Sequence, residues 1–286
     1  MKVTEIQERM NNDHNSNDNV NHAIDIIYHE IVKLAKEAGL LQKQYFRTKN
    51  FEITTKSTEV DMLTEVDLAC DHLIVEKLKQ LFPNDAILSE EQGNQPLLNS
   101  GASGFTWIID PLDGTTNFSI GHPVFAVSIA RWQGESPVFG VVYLPMLNEL
   151  FYAQVDKGAY MNHERVYGSN RSVLRESVLA TGFPYDRATA ENNNSENAAI
   201  LIPMVKGIRR LGAAAYDLCL VAAGVYDAYW ELRLGKWDLA AGMLMITEAG
   251  GEFTHFEEGG KYNVIAGAPT LCKQIKELVN ITNYKR

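Results

Sequence analysis

Apolar residues recur along this chain at two different periods, and the changes between them outline its elements. From Ala23, the residues Ile24, Ile27, Ile31, Leu34 and Ala38 follow at three- and four-residue steps, predicting a long amphipathic helix to about Tyr45. The stretch before it, Met1 to about Asn21, is rich in Asn and Asp and has little to bury. It reads as a frayed extension with at most a short helix over Thr4–Met10. Phe51–Thr55 predicts a short strand. A second helix opens at Thr64-Glu65-Val66-Asp67, a capping-box-like entry, and runs to Pro83. Two apolar strands then end in acids. Ala86–Ser89 runs into Glu90 and Glu91, and Trp107–Ile109 stops at Asp110, Pro111 and Asp113, with a helix start at Gly114-Thr115-Thr116.

The second half begins as a meander. Val124–Arg131, Val138–Leu144, Glu149–Gln154 and Ala159–Asn162 are short apolar or alternating runs separated by turn residues, which predicts an antiparallel sheet. Further strands are predicted within Ser172–Thr181, Ile208–Leu211, Tyr226–Leu232, Glu252–Thr254 and Asn263–Ala266. Helices are predicted over Ala198–Val205, from Gly212 to about Ala223, from Lys236-Trp237-Asp238 to Ala249, and from about Thr270 onward. Strands and helices mix without strict βαβ alternation, so the fold class is α+β in layers. The organisation expected is a flexible extension over 1–22, an N-terminal α+β half over 23–165, and a C-terminal half over 166–286 that completes a shared site.

Composition narrows the partners. A chain of 286 residues with a formal charge of -10 does not present a nucleic-acid groove or a surface for anionic membranes. No apolar run approaches a membrane span, and no basic-then-apolar leader opens the chain. Cys70, Cys219 and Cys272 show no CxxC spacing, which predicts buried thiols in a reducing cytoplasm.

The acids carry the chemistry. Asp-Pro and Asp-Gly pairs commonly mark turns, and an N-cap role accounts for Asp113 alone. It leaves unexplained Asp110 at the end of a buried strand with a second acid three residues later. Two carboxylates packed there need a cation, or one must hold a proton. The amides of Gly114 and Thr115 that follow suit a phosphate. Metal-holding acids beside phosphate-holding amides form the skeleton of a metal-assisted phosphatase. By local pattern alone, Asp67 is a capping residue, Asp238 an N-cap or first-turn acid, and Asp61 and Glu91 are solvated acids. Glu90 at its strand end stays open between the two readings.

Four separated motifs then carry a resemblance. Asp61-Met-Leu-Thr64-Glu-Val-Asp67, Glu90-Glu91, Asp110-Pro-Leu-Asp113-Gly-Thr-Thr-Asn117 and Trp237-Asp238-Leu-Ala-Ala-Gly242 together resemble the inositol monophosphatase family of magnesium-dependent, lithium-sensitive phosphatases, over about residues 24 to 280. The resemblance implies a layered αβαβα sandwich of the inositol monophosphatase/fructose-1,6-bisphosphatase type, a homodimer, and two to three Mg²⁺ per site. By motif, Glu90, Asp110 and the Leu112 carbonyl match the first metal's ligands. Asp110, Asp113 and Asp238 match the second's, and a third magnesium touches Glu90. The all-oxygen set independently suits Mg²⁺ rather than zinc.

The resemblance also implies that Asp61 accepts a hydrogen bond from Thr115, which orients the attacking water, and that Glu90 helps deprotonate that water. On the substrate side it implies Asp113, Gly114 and Thr115, with Glu231 on inositol hydroxyls and the Gly212–Ala214 segment contacting the substrate by backbone. The expected reaction is hydrolysis of a small phosphate monoester, myo-inositol 1-phosphate foremost. Gly182-Phe-Pro-Tyr185, with the Asn-rich stretch behind it, resembles bacterial members, some of which act on fructose bisphosphate or the 2′-phosphate of NADP, and Arg209-Arg210 adds positive charge near this region. Other bacterial relatives act as transcription-associated scaffolds. The haloacid-dehalogenase reading fails on spacing, because its acids stand two apart and no GDxxxD-like motif follows here.

Overall fold

A computed structural model describes residues 25–48, 53–55, 62–92 and 102–280. The N-terminal extension and Asp61 lie outside the described residues. Helix α1 (His29–Tyr45) is entered through a single 3-10 turn at Ile26–Tyr28. A short two-stranded ribbon, β1 (Ile53–Thr55) and β2 (Met62–Thr64), leads into α2 (Glu65–Leu81). The capping box read from the sequence is present. The Thr64 hydroxyl accepts from the Val66 and Asp67 amides, and the Asp67 carboxylate accepts from the Thr64 amide at 2.9 Å.

The chain then builds a seven-stranded sheet in chain order. Its strands are β3 (Ala86–Ser89), β4 (Phe105–Asp113), β5 (Ala126–Gln133), β6 (Ser136–Leu144), β7 (Glu149–Gln154), β8 (Gly158–Met161) and β9 (Glu164–Val166). All neighbours are antiparallel except β3 and β4, which run parallel. A one-turn helix, α3 (Thr115–Ser119), follows β4. The second sheet has the order β11-β10-β12-β14-β13, from β10 (Val178–Thr181), β11 (Gly207–Arg209), β12 (Ala228–Leu234), β13 (Glu252–Glu258) and β14 (Lys261–Gly267). The strand expected within Ser172–Thr181 is confined to its last four residues, a 3-10 turn over Leu174–Glu176 standing before it.

Helices α4 (Ser195–Leu201), α5 (Ala214–Ala222), α6 (Lys236–Glu248) and α7 (Pro269–Leu278) complete five layers. Helices α1 and α2 cover one face of the first sheet, α5 and α6 lie between the sheets, and α4 and α7 cover the far face of the second. This is the αβαβα arrangement expected. Both faces of the central strands are buried, which is why they read as apolar runs rather than as alternation. Along β4 to β6, Trp107, Ile109, Val127, Ile129, Phe139 and Val141 face α1 and α2. Small residues turn the other way, towards α6. Gly140 comes so close that a Cβ there would sit 3.1 Å from the Ala241 Cα. Helix α6 therefore rests its backbone almost directly on the sheet.

Candidate active site

The site begins where β4 breaks its register. Asp110 pairs with Ser128 and Asp113 with Ala126, so β4 spends three steps against two on β5. In a regular strand, residues three apart point to opposite faces. The extra residue of a bulge restores the same side, so Asp110 and Asp113 both reach one cavity. Pro111 occupies the bulge, where its missing N–H leaves no ladder bond unmade. Its carbonyl accepts from the buried Gln42 Nε2 of α1 at 2.8 Å. The sequence reading ends this strand at Asp110. The structure carries it through the bulge to Asp113.

Gly114 follows in the left-handed region at φ +94°, where a Cβ would meet the Val124 carbonyl at 3.0 Å. That turn aims Thr115 back at β4 and α2. The Thr115 hydroxyl donates to Asp67 Oδ1 at 2.9 Å, with the Leu112 carbonyl also within reach at 3.1 Å. The partner expected for Thr115, Asp61, lies outside the described residues. The hydroxyl has a single proton, and the carboxylate that receives it among the described residues is Asp67. Asp67 thus holds two positions at once, its Oδ2 closing the α2 cap and its Oδ1 fixing Thr115. Asn117, buried on α3, ties the halves together by donating to the carbonyls of Val124 and Leu211, each at 2.8 Å.

The second half brings its groups from helix starts and from β12. Asp238 sits in the first turn of α6 and accepts from the Gly235 amide at 2.6 Å. Both Asp113 oxygens accept from the start of α5, from the amides of Ala214 at 3.0 Å and Ala215 at 2.9 Å. The Ala214 amide is therefore committed to Asp113, while Ala214 itself belongs to the cavity wall. Gly212, at φ +81°, turns the loop before α5. Glu231 accepts from the Tyr229 hydroxyl and packs so tightly on Gly182 that a side chain there would collide with its carboxylate.

Glu90, Asp110, Leu112, Asp113, Gly114, Thr115, Gly212, Ala214, Glu231 and Asp238 line one cavity of about 270 Å³. Glu90, Asp110, Leu112, Asp113 and Asp238 make up its acidic part, and Glu231, Gly212 and Ala214 belong to the same lining, Ala214 directly against Asp113. Three charged residues of the lining carry no role in the sequence reading: Asp217, Arg233 and Lys261. The Oδ1 of Asp217, on α5, is buried without a hydrogen-bond partner. No local pattern exposes such residues, since each depends on contacts between distant segments.

The acids Glu90, Asp113 and Asp238 repel one another. Burial pushes Asp113 up to about 7 against the amides of Ala215, Tyr216 and Ala214, and nearby Glu90 raises it further. Asp238 is pushed up to about 8 by burial and by Glu90 and Asp113, with the Gly235 amide and Lys261 opposing. Glu231 rises to about 7, first through burial and then through Asp238, while Tyr229 and Arg210 pull it down. Among the described residues, no three His, Cys, Asp or Glu side chains converge to metal-ligand distance as they stand. The donor set nevertheless fits a hard divalent cation. It is made of oxygens, and its strained titration is relieved by added positive charge.

The profile of the family described as "Inositol monophosphatase family" matches residues 24–282. The chain belongs to the inositol monophosphatase family. Its relatives within the family include "Nus factor SuhB" of Pasteurella multocida, 40% identical over 250 residues, covering 85% of this chain and 92% of that one. The "Inositol-1-monophosphatase" of Synechocystis is 42% identical over 200 residues, 70% of this chain and 69% of the relative. Among solved structures, the extragenic suppressor protein suhB of Bartonella henselae superposes with a TM-score of 0.79 at 34% identity, over 90% of this chain and 98% of that one. An inositol monophosphatase fold thus frames the site. Among the described residues, no helix is long and apolar enough to cross a membrane.

Proposed function

We propose that this protein is a Mg²⁺-dependent phosphomonoesterase that hydrolyses myo-inositol 1-phosphate to inositol and phosphate. The observation that carries the reading is that Glu90, Asp110, Asp113 and Asp238, from three separate places in the chain, line one cavity beside the Thr115–Asp67 pair. Mg²⁺, when bound by these acids and the Leu112 carbonyl, supplies Lewis acidity that makes water more acidic and steadies charge on the leaving oxygen.

The residues of the chain supply the rest. Because Thr115 gives its proton to Asp67, its oxygen is left as an acceptor, and it orients a water by taking one of that water's hydrogen bonds. Glu90 takes a proton from the same water. The water oxygen attacks phosphorus in line, the bond from phosphorus to the alcohol oxygen breaks, and that oxygen is protonated as it leaves. Gly114 and Thr115 offer backbone amides to the phosphate oxygens. Glu231 and the Gly212–Ala214 segment receive the alcohol. No phosphoenzyme forms along this route.

Phosphate release tests the reading directly, with Mg²⁺ and again with EDTA, on inositol 1-phosphate, fructose 1,6-bisphosphate and NADP. Magnesium-dependent release supports it, and the ranking of kcat/KM selects the ester. Lithium inhibition and a homodimer in light scattering are further expectations. A second reading, a protein-binding role in transcription, is favoured by the relatives named Nus factor SuhB. Loss of all phosphatase activity in folded protein would transfer the weight to it.

A further inference from the structure

Strand β12 contains a second bulge. Glu231 pairs with Val264 and Leu234 with Tyr262, so one extra residue again stands on one strand. Within it Arg233 adopts φ +63°, a left-handed conformation that costs a residue with a Cβ about 1 kcal/mol or more. Its amide donates to Asn263 Oδ1 at 2.9 Å, which holds the strained turn in place. The side chain lines the cavity and pairs with Asp186 at 2.7 Å.

Asp186 belongs to the long connection between β10 and α4. Connections of this length inside a compact fold are uncommon and tend to carry function. Its base is fixed by Asn194, which is buried and left-handed at φ +73°. Asn194 Nδ2 donates to the Gly182 carbonyl at 2.7 Å, and its Oδ1 accepts from Trp230 Nε1 at 2.8 Å. Between base and tip, Phe183, Pro184 and Tyr185 line the cavity. The ion pair ties this tip to β12 through side chains.

We propose that Arg233, held at a left-handed position in the β12 bulge, latches the Phe183–Asp186 strap against the cavity through Asp186, and so sets the width of the wall that receives the alcohol half of the substrate. Arg233 is a positioning residue, since it acts through Asp186 on the strap. The inference rests on the phosphomonoesterase reading only for the identity of what the wall receives.

The latch predicts two effects of opposite sign. Arg233→Gly removes the ion pair and relieves the backbone, so Tm should rise by about 2 °C. Amides over 183–190 should exchange about two- to fivefold faster, the range expected for losing one exposed ion pair. With Mg²⁺ and inositol 1-phosphate, KM should rise about threefold with kcat within about twofold, and the change should be smaller for glycerol 2-phosphate. The reversed pair, Arg233→Asp with Asp186→Arg, should restore both exchange protection and KM, while each single change should not. Aspartate is chosen because it tolerates the left-handed region. Unchanged exchange in Arg233→Gly overturns the latch. Faster exchange with unchanged KM overturns its role in recognition. Wild-type protein silent on both esters sinks the phosphatase reading and the claim about substrate, while exchange still decides the latch.

Discussion

Two bulges face the same cavity, and they are built in opposite ways. The β4 bulge is buried and fully supported, with its Pro111 carbonyl bonded to Gln42 and its two acids anchored on the amides of Leu112, Ala214 and Ala215. The β12 bulge is half open. It holds a strained Arg233, and its guanidinium is tied to a loop by one partly exposed ion pair. Both bulges insert one residue to re-aim side chains. The first fixes charges whose spacing cannot vary if a cation and a phosphate are to fit. The second positions a wall, where a small displacement changes which alcohol fits without removing the chemistry. Rigid backbone bonding thus belongs to the end proposed to react, and the long connection after β10 to the end proposed to recognise the alcohol.

The largest effect should come from breaking the first end. Asp113→Asn halves the acceptor role of a side chain that serves both α5 and the cation, and kcat with Mg²⁺ should fall by about a thousandfold or more. Circular dichroism should show the fold retained, and a wild-type rate would remove Asp113 from the proposed ligand set. Next come Thr115→Ala and Asp67→Asn, each expected to lower kcat by about a hundredfold. Because they act as one hydrogen-bonded unit, the double variant should lose little beyond either single one. Multiplying losses would mean that Asp67 acts only as the α2 cap.

Titration separates the ends at intermediate size. Asp113 and Asp238 are raised to about 7 and about 8, above their unfolded values near 3.8. A raised carboxylate stabilises the fold fully below the unfolded value and loses that contribution as pH rises through the folded one. Cation-free protein should therefore lose Tm between about pH 4 and pH 8, and Mg²⁺ should restore it at the upper end. Calorimetry at pH 7 in buffers of different ionisation enthalpy should show protons released as Mg²⁺ binds. An unchanged count of bound protons would contradict the proposed ligands. The smallest effect belongs to the recognising end. Glu231→Gln should raise KM for inositol phosphate by about tenfold and leave smaller esters nearly unaffected. An equal loss on every ester would place Glu231 with the chemistry instead.

This division also explains what could be read in advance. Apolar strands that end in acids stand out because burial and charge conflict locally, and so Glu90, Asp110 and Asp113 were legible as residues. Asp238 looked like an ordinary first-turn acid, and only its motif distinguished it. Asp67 was legible as a cap, and that sufficient explanation concealed its second oxygen, which serves Thr115. Arg233, Asp217 and the bridging side chain of Asn117 leave no periodic trace, because their meaning lies in contacts with segments far along the chain. The five layers were legible in class, and the bulge that carries β4 on to Asp113 was not, since strand periodicity assumes the very regularity that a bulge breaks.

Gly140 shows how far the site extends into the core. It touches no reacting group, yet it lets the backbone of α6 settle on the sheet and so sets the height at which Asp238 stands over β4. A single methyl at this position would press on Ala241, and helix or strand would have to give by a few tenths of an ångström. In a genetic screen such a change would be scored with the active-site variants, although it lies in the packing. An interior glycine thus shares in the spacing of the site, and the smallest residue in the sheet becomes part of its measuring system.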